Sequence, residues 1–308
     1  MGEVHACATC LGDGPSAALP RGWSEANGCA CLCQFASRGV QGGMFVTTEP
    51  PSLASSRTHT AFNVLGVRVD AVQIPDVVAQ MEAWIRERAV CHFVAVTGMH
   101  GVTEAQHDPG FKEILNAADM VVPDGMPLVW VARWRGHALK RRVYGPELME
   151  TFCRETGSRY RHFLYGGAPG VPELLARILT DRQGVRVVGT YSPPFRPLTL
   201  AESEEVATLI NKTAPDVLWV GLSTPKQERW MYERRNTLRV PVMLGVGAAF
   251  DLNSGRVRQA PRWIREHGLE WLFRLLMEPR RLWKRYLLYG SQFIGYVGLE
   301  FLGWRKFD

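Results

Sequence analysis

Between residues 92 and 244 the chain repeats one pattern, a short apolar run followed by a longer amphipathic stretch. This alternation restricts its folding more than any other feature. Residues 92–97, 120–122, 162–165, 185–188, 217–220 and 241–244 have the length and continuity of strands buried on both faces. Residues 126–134, 146–155, 171–181, 201–211 and 225–235 read as the helices between them. Upstream, residues 62–70 alternate like a strand or hairpin arm, and residues 75–88 form a helix with Pro75 in its first turn. Strands alternating with helices predict an α/β fold: a Rossmann-like, mostly parallel sheet with helices on both faces. Ligands of such sheets bind beyond the carboxyl ends of the strands. The loop after each strand is therefore where chemistry is expected.

The two ends of the chain depart from this pattern. Residues 1–60 are rich in Gly, Ala, Ser, Thr and Pro and carry no apolar period. Cys7, Cys10, Cys29, Cys31 and Cys33 crowd this stretch, yet nothing around them would hold four thiolates about a zinc ion. A flexible extension is expected there, with Met44 as an alternative start and no basic-then-apolar secretory signal. Only Cys91 and Cys153 follow, which suits a reducing cytoplasm. Residues 61–259 make up the α/β core. Residues 260–308 contain no further strand and read as a helical appendage. At 308 residues with 46% hydrophobic and 21% charged side chains, the composition excludes overall disorder, collagen and a polytopic membrane protein.

Four strand-end loops stand out. In Val122-Pro123-Asp124-Gly125-Met126 an aspartate stands between strand and helix, where it is either a helix cap or a carboxylate able to take a proton. Gly166-Gly167-Ala168-Pro169-Gly170 enters a helix and suits either an anion held on backbone amides or a tight turn. It lacks the Lys-Ser/Thr of a Walker loop. Residues 221–228 carry Gly221, Thr224, Lys226 and Gln227 to the mouth of the sheet. Gly245-Val246-Gly247-Ala248-Ala249-Phe250-Asp251 approaches the dinucleotide fingerprint, with Phe250 where its third glycine belongs and Glu266 at the spacing of a ribose partner. A nicotinamide-dependent oxidoreductase is thus one alternative. No zinc-protease helix or nucleophile elbow is present. His100 alone among the histidines lies just beyond a predicted strand, beside Thr97.

The formal charge of +6 allows nucleic acid, an anionic membrane surface or a phosphorylated substrate as partner. From Arg256 on there are eleven cations and five anions, so the whole excess lies in the tail. Trp263, Trp271, Trp283, Tyr286, Tyr289, Phe293 and Trp304 are interleaved with them. Aromatic rings among arginines fit helices lying in a membrane interface, and a non-enzymatic scaffold on such a surface is a second alternative. A basic helix packed on the sheet is the plainer reading. No nucleic-acid motif accompanies the charge.

Taken in order, the short motifs over residues 62–286 resemble the WecG/TagA/CpsF glycosyltransferases of bacterial surface-polysaccharide and teichoic-acid assembly, in the variant of exopolysaccharide clusters. The marks are Asp108-Pro109 with Phe111, Asn116-Ala117-Ala118-Asp119, Asp124-Gly125, Arg142-Val143 with Gly145, the loops at 166–170, 221–228 and 245–251, then Gly255-Arg256-Val257, Ala260-Pro261-Arg262-Trp263, Gly268-Leu269-Glu270-Trp271, Arg274-Leu275 and Glu278-Pro279. The resemblance implies a metal-independent, inverting transfer without cofactor. Its partners would be a UDP-sugar donor, a polyprenyl-diphosphate-linked saccharide and the inner face of the cytoplasmic membrane, with the oligomeric state left open. On the same ground Asp124 matches the base, and Arg142, Arg274, Arg281 and Lys284 face the donor diphosphate. Gly166, Gly167, Gly221, Thr224, Lys226, Gln227 and Gly247 hold the nucleotide sugar, and Asp251 lies near the uridine or supports its loop. One departure stands out. The family's Thr-x-Asn after the first parallel strand is here Thr97-Gly98-Met99-His100, so His100 is the residue available to replace the asparagine.

Overall fold

The computed structural model describes residues 59–261, 263, 264 and 268–307. All but the last two residues of the expected N-terminal extension, with its five cysteines, lie outside the described residues, as does Glu266.

The chain opens with a hairpin, β1 (Ala61–Val64) and β2 (Val67–Asp70), paired antiparallel. Next come α1 (Ile74–Glu87), β3 (His92–Thr97), α2 (Met99–His107), α3 (Pro109–Asn116), β4 (Met120–Pro123), α4 (Met126–Trp134) and α5 (Gly145–Thr156). The second half comprises β5 (Arg161–Gly166), α6 (Val171–Gln183), β6 (Arg186–Tyr191), α7 (Leu200–Thr213), β7 (Val217–Gly221), α8 (Lys226–Arg234), β8 (Val242–Gly245) and the short α9 (Ala249–Asn253). The tail is helical: α10 (Glu270–Met277), α11 (Pro279–Trp283), one π-helical turn (Lys284–Leu288) and α12 (Tyr289–Phe301).

Strands β3 to β8 form one six-stranded sheet in the order β4-β3-β8-β7-β5-β6, every pair parallel. Successive strand side chains point to opposite faces, and each face has its own core. Phe93, Ala95, Leu218, Val220 and Met243 pack with the hairpin and with α2, α3, α4, α7 and α8. Val94, Val96, Val217, Trp219 and Leu244 pack with α1, α5, α6 and α9. The continuous apolar runs follow from this, because a strand covered on both sides has no polar face to show.

Several polar motif residues act as joints of this frame. Asp108 caps α3 by accepting from the Phe111 N–H at 3.0 Å and pairs with Arg229 on α8. Asn116 clasps the hairpin, donating to the Gly66 carbonyl and accepting from the Arg68 N–H, both at 2.9 Å. Asp119 accepts from the Phe93 N–H at 2.9 Å and fixes the entry to β3. Buried Asp70 accepts from the Val121 N–H at 2.8 Å and locks the hairpin to β4.

Residues 99–107 and 109–116, to which the sequence pattern assigns no element, are helices. The tail folds back along the first of them: Phe293 and Phe307 enter the same core as Phe93, and His107 meets Gln292 at 3.1 Å. Among the described residues no helix is long and apolar enough to cross a membrane.

Candidate active site

All six parallel strands end at one edge of the sheet, which gathers the loops after β3, β4, β5, β7 and β8. At the β4 end the chain turns sharply into α4. The Asp124 N–H donates to the Thr97 carbonyl at 2.7 Å, so the β3 and β4 loops are stitched together. Gly125 makes the turn at φ +133°, a conformation that suits glycine. The cap position of α4 falls on Gly125, so Asp124 does not cap the helix. Its carboxylate is left to face a cavity of about 720 Å³.

Arg142 reaches that cavity because the Val143 N–H donates to the Pro123 carbonyl at 2.9 Å, holding the loop before α5 against the β4 end. The tail closes the other side with Glu270, Arg274 and Arg285. Glu270 is 2% exposed and accepts from both the Arg142 guanidinium and the Tyr144 hydroxyl. The Arg142 guanidinium also lies 4.3 Å from the centre of the Tyr144 ring. Three arginines, two carboxylates, two tyrosines and His100 thus line one chamber.

Burial pushes the Asp124 carboxyl above the usual carboxylate range; Arg142 and Arg285 pull it down, Glu270 pushes it up and Arg274 pulls it down. Burial works against the charge on Arg142, but Asp124 and Glu270 outweigh it and keep the guanidinium ionised. Burial, with Arg285 nearby, brings His100 down to about 3, so its imidazole is neutral at physiological pH. The ring stands edge-on to Tyr289 with centres 4.9 Å apart, and its Nδ1 has no hydrogen-bond partner among the described residues. A neutral imidazole can donate or accept, as the asparagine of the family pattern could.

A second group sits at the ends of β5, β7 and β8. Gly166 and Gly221 touch so closely that a Cβ on Gly166 would come within 2.5 Å of the Gly221 carbonyl oxygen. The Gly167 N–H donates to that oxygen at 3.0 Å. The Phe250 ring fills the space over Gly221, where a Cβ would lie 2.9 Å from it. Buried Gln227 accepts from the Gly247 N–H at 3.0 Å and donates to Glu228 at 3.0 Å. Thr224 donates to the same Glu228 oxygen at 2.8 Å. Burial raises the Glu228 carboxyl against these hydrogen bonds. Arg285 acts electrostatically on Asp124, His100 and Glu228 alike and so links the two groups.

The sequence-predicted residues therefore divide. Asp124, Arg142, His100 and Arg274 line the cavity, and Thr97 lies directly behind it, buried and joined to the Asp124 backbone. Gly166, Gly167, Gly221, Thr224, Gln227 and Gly247 form the glycine-rich floor at the neighbouring strand ends, with Asp251 on α9 and exposed Lys226 opening α8. Arg281 lies on α11, and Lys284 is exposed with its ammonium 5.7 Å from the Trp283 ring. Sequence reading chose Lys284 and passed over Arg285, Glu270 and Tyr144. Arg285, in the π-helical turn, lines the cavity. For Glu270 the available signal was an acidic residue inside a basic segment. Among the described residues no cluster of three or more His, Cys, Asp or Glu side chains is placed to hold a metal ion.

The N-acetylglucosaminyldiphosphoundecaprenol N-acetyl-beta-D-mannosaminyltransferase of Bacillus spizizenii is 33% identical over 186 residues, 60% of this chain and 70% of its own length. Proteins of the same name from Bacillus subtilis and Staphylococcus aureus are 29% identical over 182 residues and 27% identical over 229 residues. The matches cover 58% and 73% of this chain, and 69% and 89% of those proteins. Residues 62–306 match the glycosyl transferase WecG/TagA/CpsF family, and the chain belongs to it.

Proposed function

We propose that this glycosyltransferase moves a hexose or N-acetylhexosamine-type sugar from a UDP-sugar to a polyprenyl-diphosphate-linked saccharide, with inversion and without a metal, in surface or exopolysaccharide biosynthesis. The observation that carries the proposal is the single cavity in which Asp124 faces Arg142, Arg274 and Arg285. An inverting transfer needs one base for the acceptor hydroxyl. Asp124 takes that proton as the hydroxyl oxygen attacks the anomeric carbon from the face opposite the leaving group. The bond to the UDP oxygen breaks with its electrons, and the guanidinium groups stabilise the negative charge left on the diphosphate. His100 takes the position of the family's asparagine toward the sugar or acceptor. The relatives' names, which specify a diphosphoundecaprenol acceptor, support the acceptor class. Family membership sets aside the nicotinamide and non-enzymatic readings.

The enzyme works at the inner face of the cytoplasmic membrane, held there by its tail. Trp263, Leu276, Ile294 and Trp304 are each more than 60% exposed, an unusual outlay of apolar surface beside so many arginines. A panel of UDP-sugars against a prenyl-diphosphate disaccharide tests the reading. One donor should give product with inverted anomeric configuration and released UDP, and Asp124→Ala should abolish the reaction while the fold survives. Near-normal turnover in that variant would remove the base assignment. Full activity with none but soluble acceptors, and no affinity for anionic vesicles, would remove the membrane assignment.

A further inference from the structure

The cavity is charged at one end only. Helix α4 leaves the Asp124 loop, and Met126, Trp130 and Trp134 recur on one face at four-residue spacing over about 12 Å. Helix α12 starts beside His100 and runs the same way, presenting Gly290, Ile294 and Val297 to the same cavity. At their far ends the helices are tied together. Trp134 packs on Phe301 with ring centres 4.2 Å apart, and Arg135 pairs with Glu300 at 2.8 Å. The two helices thus form an apolar trough that begins at the arginines and leads away from them. Its walls are solvent-exposed, with Trp130 at 59% and Ile294 at 73%.

We infer that this trough binds the first isoprene units of the acceptor, whose saccharide-diphosphate end then enters the charged chamber. The inference rests on the acceptor class proposed above. A molecule that is doubly phosphorylated at one point and hydrocarbon beyond it matches a site with guanidinium groups at one point and indole and aliphatic walls beyond them. The continuity matters, because the same cavity is lined by Arg142 and Arg285 and by Trp130 and Ile294. A soluble nucleotide sugar has a uracil that can stack on an indole but no hydrocarbon to cover Ile294 and Val297. A prenyl chain does, and it would remove these groups from water.

The test uses the full chain with Trp130→Ser and Ile294→Ser, both at exposed positions whose change leaves the cores intact. Affinities for a prenyl diphosphate and for inorganic diphosphate are measured in one detergent. Each variant should bind the prenyl diphosphate about tenfold more weakly, the effect of losing one apolar side-chain contact, and inorganic diphosphate as the unaltered chain does. Unchanged affinity for the prenyl diphosphate overturns the inference, as does an equal loss for both ligands. A variant that keeps prenyl diphosphate affinity but loses affinity for acceptor-free anionic vesicles also overturns it, since the trough would then meet bilayer lipid. The transfer assay separates the two proposals. Chain-dependent binding without sugar transfer to any lipid-linked acceptor sustains the trough and removes the proposed reaction, and transfer without chain-dependent binding does the reverse.

Discussion

Arg142 and Glu270, 128 positions apart in the chain, meet as a partly buried ion pair beside Asp124. Glu270 therefore does two things at once: it orients the Arg142 guanidinium and adds a negative charge beside the proposed base. The base works deprotonated, so kcat/KM falls as pH drops through its pKa. Glu270 raises that pKa and Arg142 lowers it. Glu270→Gln should move the acid limb of the kcat/KM profile to lower pH, and Arg142→Gln should move it to higher pH on top of a lower maximum. Shifts of the same sign in both variants would contradict this arrangement.

Asp124 also has a stability signature. Its carboxyl is raised in the folded protein above its ordinary value of 3.8. The folded state therefore binds this proton more tightly than the unfolded chain does. The group's contribution is fully present below about pH 4 and is lost as pH rises through the folded value. Asp124→Asn should abolish transfer and yet raise Tm near neutral pH, with the gap closing as the pH approaches 4. Differential scanning at several pH values reads this directly, and a lower Tm at neutral pH would reject it.

The two adjacent tail cations should behave differently. Arg285 lines the cavity, while Lys284 is exposed beside Trp283. Removing a preorganised cation from a developing diphosphate charge costs roughly a hundredfold in rate. Arg285→Ala is expected to lose about that much in kcat/KM, and Lys284→Ala is expected to stay close to the unaltered enzyme. Equal losses would place the π-helical turn one residue out of register.

At the glycine floor, Gly166→Ala combines φ +123° with a Cβ 2.5 Å from the Gly221 oxygen. It should cost about 1–3 kcal/mol of stability. Gly170→Ala meets nothing within 4 Å at φ +84° and should lose less. Urea unfolding of both separates the contact from the backbone term.

Much of the frame was legible because buried parallel strands show themselves as unbroken apolar runs. All six expected sheet strands are present, with ends displaced by no more than three residues, as in β6. The helices α2 and α3 were not legible. Met99–His107 mixes Met, Gly, Val, Thr and Ala without a clear apolar face, and it is helical because the tail and α3 pack around it. Asp124 could be found from its place between strand and helix, and Arg142 from the family motif. Glu270 had a signal, as an acidic residue in a basic segment and a family motif, but Tyr144 and Arg285 had none, since their roles arise only when residues far apart in sequence fold into one chamber. The glycine loops read as anion cradles, and in the structure much of their need for glycine is already met by close contact between neighbouring strand ends and with Phe250.

The tail's return to the sheet also orders events during synthesis. A nascent chain that has reached Asn253 already holds the six strands of the parallel sheet, Asp124 and Arg142, but lacks Glu270, Arg274 and Arg285. Phe293 and Phe307, which finish one face of the core, come later still. Translation thus delivers the sheet strands first and the last of the cavity lining later. A chain cut before residue 269 would keep Asp124 and Arg142 but lack Glu270, Arg274 and Arg285, and with them two of the three cations proposed to meet the departing diphosphate.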